Sequence, residues 1–569
     1  MQRFLIIISF ITLTLTAWSQ DIPEHVSNEG IYEFIDELAG EQVIQVNSVV
    51  KPYSKQFIYE KLKEAEAGDS LLNKRQRQEL TFYMREYVVF SPDTSNPFSG
   101  DPCDLVSRFN ITGNRPAHGA LPVKQLGFIY KDSLFTAVIK PVWGVNYRMN
   151  DSGSVRHFWG GIRAYATIGE HWGIYASLRD NSITEILSLP GYFTRREGGN
   201  YKAAGKGREG GDFSEMRGGA VYSWNWGSIG LLKDHIQCVD HNYGPNIIDS
   251  RAPSFAMIKL KMKPARWFEF NYIHGWLVSE VIDSTNSYYS QFGEYRAKFR
   301  PKNIAANMFT FHPWSHSSIS FGNSIIYSDL GGAHPAYLIP FMFFKSIDHT
   351  LNHGIQNQNS QLFLNLSTRQ LKHTHVYGSI FVDEFSTTRL GNQSRHNFLS
   401  YKGGLKIMNW PLQNLSFNYE FTHTNPMTYK HRIKTTTFAT NEYNLGHYLK
   451  DNSREHTIAA TYKPLARLHI TAFYQKSWHG NDYPYNINYS VPIDELPILQ
   501  EKTWDKELIS FTASYELLNN VYLKLFYEYS NIQGFDADGK TAEDYLMQFT
   551  PQFYHGKQHT FGMQFNMGF

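Results

Sequence analysis

The stretch HTFGMQFNMGF, His559 to Phe569, ends the chain and decides its fold. Large apolar side chains occupy every second position, and small or polar residues lie between them, as shown by Phe561, Met563, Phe565, Met567 and Phe569. Alternate side chains of a β-strand point to opposite faces, and about 10 tilted residues cross the apolar core of a bilayer. The pattern therefore predicts a membrane-spanning strand. The terminal aromatic residue resembles the signal by which outer-membrane barrels are recognised for insertion, so we assign Phe569 that role.

The opposite end of the sequence has the features of an export signal. Arg3 precedes an apolar run from Phe4 to Thr16, and small residues follow at Ala17 and Ser19. These features predict a signal peptide over residues 1–19. No later segment has 18 uncharged apolar residues, so we expect no membrane-spanning helix.

Composition agrees with an outer-membrane barrel. The 569 residues are 15% aromatic, 42% hydrophobic and only 19% charged, which suits a polar interior and an apolar exterior. The formal net charge of +2 gives no basic excess that would indicate nucleic acid. We therefore expect outer-membrane lipid and the barrel-insertion machinery as partners, and no nucleic acid. The two cysteines, Cys103 and Cys238, have no diagnostic spacing, so buried free thiols are favoured and a disulfide stays open.

Residues 20–132 differ from the rest of the chain and predict a helical bundle with a linker. Apolar residues recur at three and four spacing from Ile31 to Ala39 and again after Ser54. Asn73, with Gln76 three positions later, is typical of the start of a third helix. About 70 residues are marginal for a free-standing domain, so we expect this bundle to pack on or into the periplasmic end of the barrel.

Residues 133–569 predict the barrel itself, with about 18 strands. Short connections alternate with long ones, and an even strand number is required when both termini are periplasmic. We therefore expect periplasmic short turns and long extracellular loops. Pro141 and Pro301 fall inside predicted strands, where a missing N–H predicts a bulge or a break. Trp172, Trp267 and Tyr522 near strand ends are typical of interfacial girdles.

One long connection, with its flanks, carries a family resemblance. It reads KDHIQCVDHNYGPNIIDSRAPSFAMIKL, from Lys233 to Leu260, and it resembles the signature loop of the Wzi-like capsule-assembly family. The matching residues are Asp234, Tyr243-Gly244-Pro245, Ser250 and Ala252-Pro253. Tyr243 stands where the family usually has Trp, and Arg251 where it usually has Asn. Further agreement lies in Lys51-Pro52-Tyr53-Ser54, Tyr337-Leu338-Ile339-Pro340-Phe341 and Leu445-Gly446-His447. The chain is similar to the long-loop members found in Bacteroidetes.

The resemblance implies a fold and a function. It implies an 18-stranded outer-membrane barrel with a periplasmic helical bundle, acting as a lectin that anchors capsular polysaccharide at the cell surface. It implies no catalysis, so we expect no enzyme and no organic cofactor.

Sugar binding needs aromatic faces and planar groups that pair with hydroxyls. The predicted external loops supply both, and the glycan-binding candidates are Tyr192, Arg195, His241, Tyr243, Arg251 and Trp504. The alternative is that these side chains pack the loops together and close the barrel mouth. Asp240, His241 and Asp249 could bind a divalent cation, although a solvated polar loop is the favoured interpretation.

Three functions remain open from the sequence. The first is a surface barrel that binds polysaccharide. The second is a barrel subunit of an outer-membrane assembly, secretion or gliding complex. The third is an occluded porin-like channel, because 18 strands enclose enough space for a pore.

Overall fold

The computed structural model describes residues 21–90, 127–131, 134–203, 210–330, 332–351, 357–392, 394–485 and 487–568. The predicted signal peptide, Cys103 and Phe569 lie outside these residues. The expectation that Cys103 and Cys238 are free thiols is therefore not tested for Cys103.

The chain forms a closed barrel of 18 antiparallel strands, which confirms the predicted fold class and strand number. The strands are β1 Phe135–Asn150, β2 Gly153–Ile168, β3 Trp172–Ile183, β4 Gly211–Trp224, β5 Gly227–Asp234, β6 Phe255–Ala265, β7 Phe268–Ile282, β8 Phe299–Phe311, β9 Ser317–Ser328, β10 Gln358–Thr368, β11 Thr374–Glu384, β12 Phe398–Met408, β13 Leu415–Thr424, β14 Ser453–Leu465, β15 Leu468–Gly480, β16 Lys502–Leu518, β17 Val521–Gly534 and β18 Gly556–Met567. The strand predicted at the chain end closes the barrel, since β18 pairs with β1 from Phe561↔Met149 to Met567↔Trp143.

Apart from the short β1–β2 turn, the connections alternate in length along the chain. We name the two rims the short-turn end and the long-loop end. Two short strands extend the barrel sheet, namely Phe128–Lys131 beside β1 and Lys202–Ala203 beside β4. Three separate two-stranded sheets are formed by Val50–Lys51 with Gln237–Cys238, Tyr288–Tyr289 with Tyr295–Arg296, and Ala439–Thr440 with Tyr443–Asn444.

The two strand prolines behave differently. Strands β7 and β8 shift register between Val278 and Ile282, directly beside Pro301, as predicted. The bulge predicted at Pro141 is wrong, because β1 and β2 pair there without a shift. On its other edge, Pro141 lies where the partner of β1 changes from Phe128–Lys131 to β18, so that ladder is already interrupted.

The N-terminal residues 21–90, which we name the plug, contain three helices. They are α1 Glu29–Gly40, α2 Lys55–Ala67 and α3 Lys74–Tyr87. Ser54 caps α2, and Asn73 with Gln76 forms the capping box expected at α3. The remaining helices of the described residues are α4 Phe344–Leu351, α5 Ala542–Phe549 and the 3₁₀ turns Asp69–Leu71, Val88–Phe90, Pro335–Leu338, Thr387–Arg389, Lys434–Thr436, Ile493–Glu495 and Gln552–Tyr554. Among the described helices, none has the length and apolar character needed to cross a membrane.

The plug lies inside the barrel at the short-turn end. Helix α1 forms ion pairs with three strands on one side of the wall, β12, β14 and β17, through Asp36 to Lys406, Glu37 to Lys463 and Glu29 to Lys524. The apolar side chains of the plug share one core with inward-facing residues of the barrel. Tyr522 contacts the plug and is not part of an interfacial girdle, because its hydroxyl accepts a hydrogen bond from the Gly30 N–H at 3.0 Å. The helices therefore have no separate core of their own.

Candidate functional site

The signature loop, residues 235–254 between β5 and β6, folds into the barrel. Its strand Gln237–Cys238 pairs with Val50–Lys51 of the plug. Its backbone N–H groups at Asn242 and Tyr243 donate to the Glu420 carboxylate of β13 at 2.8 and 3.1 Å. A buried carboxylate needs such donors, and this requirement holds the loop in the lumen. The external position expected for this loop is therefore wrong.

Two polar cavities lie between the inner loops, the plug and the wall. The larger has a volume of about 430 Å³ and lies between the plug, the signature loop and the β3–β4 loop. The smaller, about 350 Å³, lies between α1, the signature loop and strands β12 to β14. Both volumes fall within the range typical of small-molecule sites.

Tyr243 and His241 line the smaller cavity. The half-buried Tyr243 ring lies 5.1 Å from the Phe473 ring. His241 Nε2 is 2.6 Å from Ser379 Oγ, and burial lowers the pKa of His241 to about 3, so the imidazole is neutral. Tyr243 therefore lines the cavity with a half-buried ring, whereas His241 is hydrogen-bonded to Ser379 of the wall.

Arg251 lines the larger cavity and is held in a fixed orientation. Its guanidinium carbon lies 4.2 Å from the centre of the Tyr448 ring, and its Nε lies 3.7 Å from Asp249 Oδ2. Arg195 is enclosed instead, with its guanidinium over the Tyr443 ring and an Nη1 donating to Pro190 O at 3.1 Å. Burial lowers the pKa of Arg195 to about 10, which still leaves it charged. Arg251 can thus meet a ligand, and Arg195 shapes the loop.

Tyr192 and Trp504 lie apart from both cavities. Trp504 is fully buried, its indole N–H donates to Thr550 Oγ1 at 2.8 Å, and its ring packs edge-on against Phe193. Tyr192 is half-buried in the β3–β4 loop, where its N–H donates to Leu189 O. For Trp504, the structure favours the alternative interpretation of loop packing.

The three predicted metal ligands do not converge. Asp240 accepts a hydrogen bond from Ser367 Oγ at 2.7 Å, and His241 is bonded to Ser379 Oγ. Asp249 accepts from the Arg251 backbone N–H at 3.2 Å. Each side chain has a different partner, so the structure does not bring Asp240, His241 and Asp249 into one site.

Within the described residues, the ligand-type atoms that do approach one another belong to His25, Asp234 and His235. The Ser27 N–H can only donate, so the Nδ1 atom of His25 accepts it and His25 Nε2 donates to His235 Nδ1 at 3.2 Å. Asp234 accepts from Tyr175 and Arg217 at 2.8 and 3.3 Å. Burial and the Arg217 guanidinium hold the pKa of His25 well below its ordinary value. Hydrogen bonds therefore account for this cluster.

Sequence reasoning missed most of the larger cavity's lining. Arg148 and Lys524 project from barrel strands, and Arg196 and Glu197 from the β3–β4 loop. The Arg196 and Glu197 side chains are 58% and 44% exposed, although Arg196 pairs with Glu528 and Glu197 with Arg179. The alternation within strands could have identified the inward-facing cations, but nothing in the sequence indicates which strands meet at one cavity.

The sequence matches no family model and no curated protein. In structure, the chain is similar to Wzi of Escherichia coli, an outer-membrane protein involved in group 1 capsule assembly and described as a carbohydrate-binding β-barrel. The two share 9% sequence identity and a TM-score of 0.53, over 96% of this chain and 99% of that one. Pseudomonas aeruginosa OccD3 (OpdP) gives 9% identity and a TM-score of 0.41, over 75% of this chain and 90% of its own. Acinetobacter baumannii OccAB3 gives 8% and 0.40, over 76% and 99%. The chain therefore has the fold of the outer-membrane barrel Wzi, which confirms the resemblance found in the sequence at the level of the fold.

Proposed function

We propose that this protein is a non-enzymatic outer-membrane barrel that binds or anchors a surface polysaccharide, with its long loops outside the cell and its plug on the periplasmic side. The observation that carries the proposal is the larger cavity. Two loops from the long-loop end place planar charged groups in the lining of this cavity. The β3–β4 loop supplies the Arg196 guanidinium and the Glu197 carboxylate, and the signature loop supplies the Arg251 guanidinium. Guanidinium and carboxylate groups match pairs of sugar hydroxyls in geometry.

The cavity also has the rigidity that carbohydrate binding requires. Arg251 is fixed over Tyr448, and the Arg179 guanidinium lies over the Trp159 ring at 5.1 Å. Side chains held in this way lose little conformational entropy when a ligand binds. The similarity in fold to Wzi, itself described as carbohydrate-binding, supports the same proposal.

The test is a binding measurement with the full chain in detergent and the purified surface polysaccharide of its source. We expect Arg196→Ala/Arg251→Ala to weaken binding by at least tenfold, which corresponds to about 1.4 kcal/mol. Arg296→Ala is the matched control, because Arg296 lies on an exposed hairpin and pairs only locally with Glu294. Unchanged binding by the double variant, with both proteins folded, would place the site elsewhere.

A further inference from the structure

Residues 332–351, which connect β9 to β10 and include α4, form a strap on the outside of the barrel. Tyr272, Asn307 and Asn323 are paired in register across β7, β8 and β9, so their side chains share one face of the sheet. Glu269 lies on the opposite face, where its carboxylate bonds to Ser48 of the plug at 2.9 Å. The face that carries the two asparagines is therefore the outer one, and the strap covers it.

The strap lies within the apolar band of the barrel. The exposed Trp267, just before β7, and Trp276, within β7, bracket this band, with 58% and 37% of their surfaces exposed. Between them, the Phe341 ring stacks on Phe270 at 4.5 Å, and the Tyr272 hydroxyl donates to Tyr337 O at 2.7 Å. The strap thus descends from the long-loop end to the depth that lipid would otherwise occupy.

Hydrogen bonds fix the strap in this place. Asn307 Nδ2 donates to Pro340 O and Met342 O at 2.9 and 2.8 Å. The Phe344 N–H donates to Asn323 Oδ1 at 3.0 Å. Side-chain amides that face outward at this depth would have no hydrogen-bond partners in lipid. The strap supplies partners to Asn307 and Asn323, and the two asparagines in turn satisfy backbone groups of the strap.

The outer surface of the strap combines apolar side chains with irregular backbone and a cation. It exposes five apolar side chains, each between 39% and 54% exposed: Leu338, Ile339, Phe341, Met342 and Phe343. The backbone from residue 339 to 343 is neither helix nor strand, and irregular backbone at membrane depth is tolerated only where protein covers it. Lys345 and His349 are also exposed, on α4. An exposed cation in hydrocarbon is costly and marks a place where a partner group is expected.

We propose that the strap is a docking surface for a different membrane-embedded protein, one that presents an apolar surface with a carboxylate opposite Lys345. A second copy of this chain is the alternative occupant, because α4 carries the half-buried Asp348 three residues after Lys345 and the two could pair across a two-fold axis. The experiment distinguishes the two occupants by the mass of the adduct. This proposal is independent of polysaccharide binding at the larger cavity.

The experiment places a photoreactive phenylalanine analogue at Phe343 of the full chain in native membranes. The matched control carries the same analogue at Phe561, which is 56% exposed on β18, on the far side of the barrel. We expect one discrete protein adduct from position 343 and none of that mass from position 561. Lys345→Glu should lower the yield of this adduct at least tenfold, whereas Lys345→Arg should retain it. Heat-modifiable mobility confirms that each variant barrel is folded.

Three results would overturn the proposal. Attachment to lipid alone at position 343 would show that lipid covers the strap. An adduct of doubled mass would identify a second copy as the occupant. An adduct whose yield is the same in Lys345→Glu and the parent would remove the carboxylate from the partner's surface.

Discussion

The Nζ atom of Lys463 in β14 lies 2.8 Å from the Oε2 atom of Glu37 in α1. Both side chains are buried, and Glu37 also pairs with Arg75 and accepts from Asn409 at 2.7 Å. The surrounding cations and donors outweigh burial and hold the pKa of Glu37 below its ordinary value. One carboxylate thus joins two helices of the plug to the barrel wall.

We predict that Glu37→Ala opens the short-turn end. The substitution leaves Lys463 and Arg75 buried without this partner, and breaking a buried pair costs about 3–5 kcal/mol. In planar-bilayer recordings, the parent protein should conduct poorly and the variant should show larger, longer openings. Glu60→Ala is the control, since Glu60 is exposed on α2. A parent that already conducts strongly would instead favour the porin interpretation.

The strands and the helix starts were the predictable part of the fold. Period-two alternation identifies each strand locally, and the caps at Ser54 and Asn73 depend only on neighbours three residues away. The inward course of the signature loop was not predictable, because it depends on Glu420, far along the chain from Tyr243. The position of the strap was not predictable either, because its sequence has no regular alternation of its own. In addition, its partners Asn307 and Asn323 alternate with apolar residues in the way expected of side chains that face the lumen.

A second prediction concerns acid. Burial raises the pKa of Glu24, but Lys55 and Arg163 outweigh it and lower that pKa from an ordinary 4.5 to about 2. A carboxylate with a lowered folded-state pKa stabilises the fold above pH 4.5, and this contribution disappears as the pH falls toward 2. Protease cleavage of the plug, assayed after acid exposure, should therefore rise over this interval. The plug of Glu24→Gln should be cleaved more readily than that of the parent at neutral pH, and its cleavage should change less with acid.

A third prediction separates the two cavities. Tyr243 lines only the smaller one and Arg251 only the larger, and neither lies in a strand. Tyr243→Ala/Arg251→Ala should weaken retention of surface polymer while barrel assembly stays normal, and the single variants should show which cavity is responsible. An aromatic face and a guanidinium each contribute about 1 kcal/mol, so the double variant should lose more than the tenfold that about 1.4 kcal/mol represents. If the double variant retains its polymer but loses a co-purifying protein, the assembly-subunit function is favoured.

The fourth prediction concerns the chain end. Strand β18 closes the barrel against β1, and without this pairing both strands would have open edges in the membrane. Deleting Phe569, or replacing it by Lys, should block insertion without affecting export. The amounts of heat-modifiable, membrane-embedded protein and of exported protein measure the two steps separately. Normal insertion of the shortened chain would contradict the assignment of Phe569 as the insertion signal.

The last prediction tests how the strap is held. In Asn307→Leu, Pro340 O loses its donor and Met342 O keeps only the longer bond from Asn323 Nδ2 at 3.3 Å. An unsatisfied group in apolar surroundings costs about 1–3 kcal/mol. Backbone hydrogen exchange in residues 338–343 should accelerate by at least tenfold, while exchange in β7 to β9 and heat-modifiable mobility stay at parent levels. Asn286→Leu is the matched control, because the Asn286 side chain donates only to Asp283 on an exposed turn. If exchange in the strap is equal in the two variants, Asn307 does not hold it, and the apolar contacts of Phe341 and Phe344 must suffice.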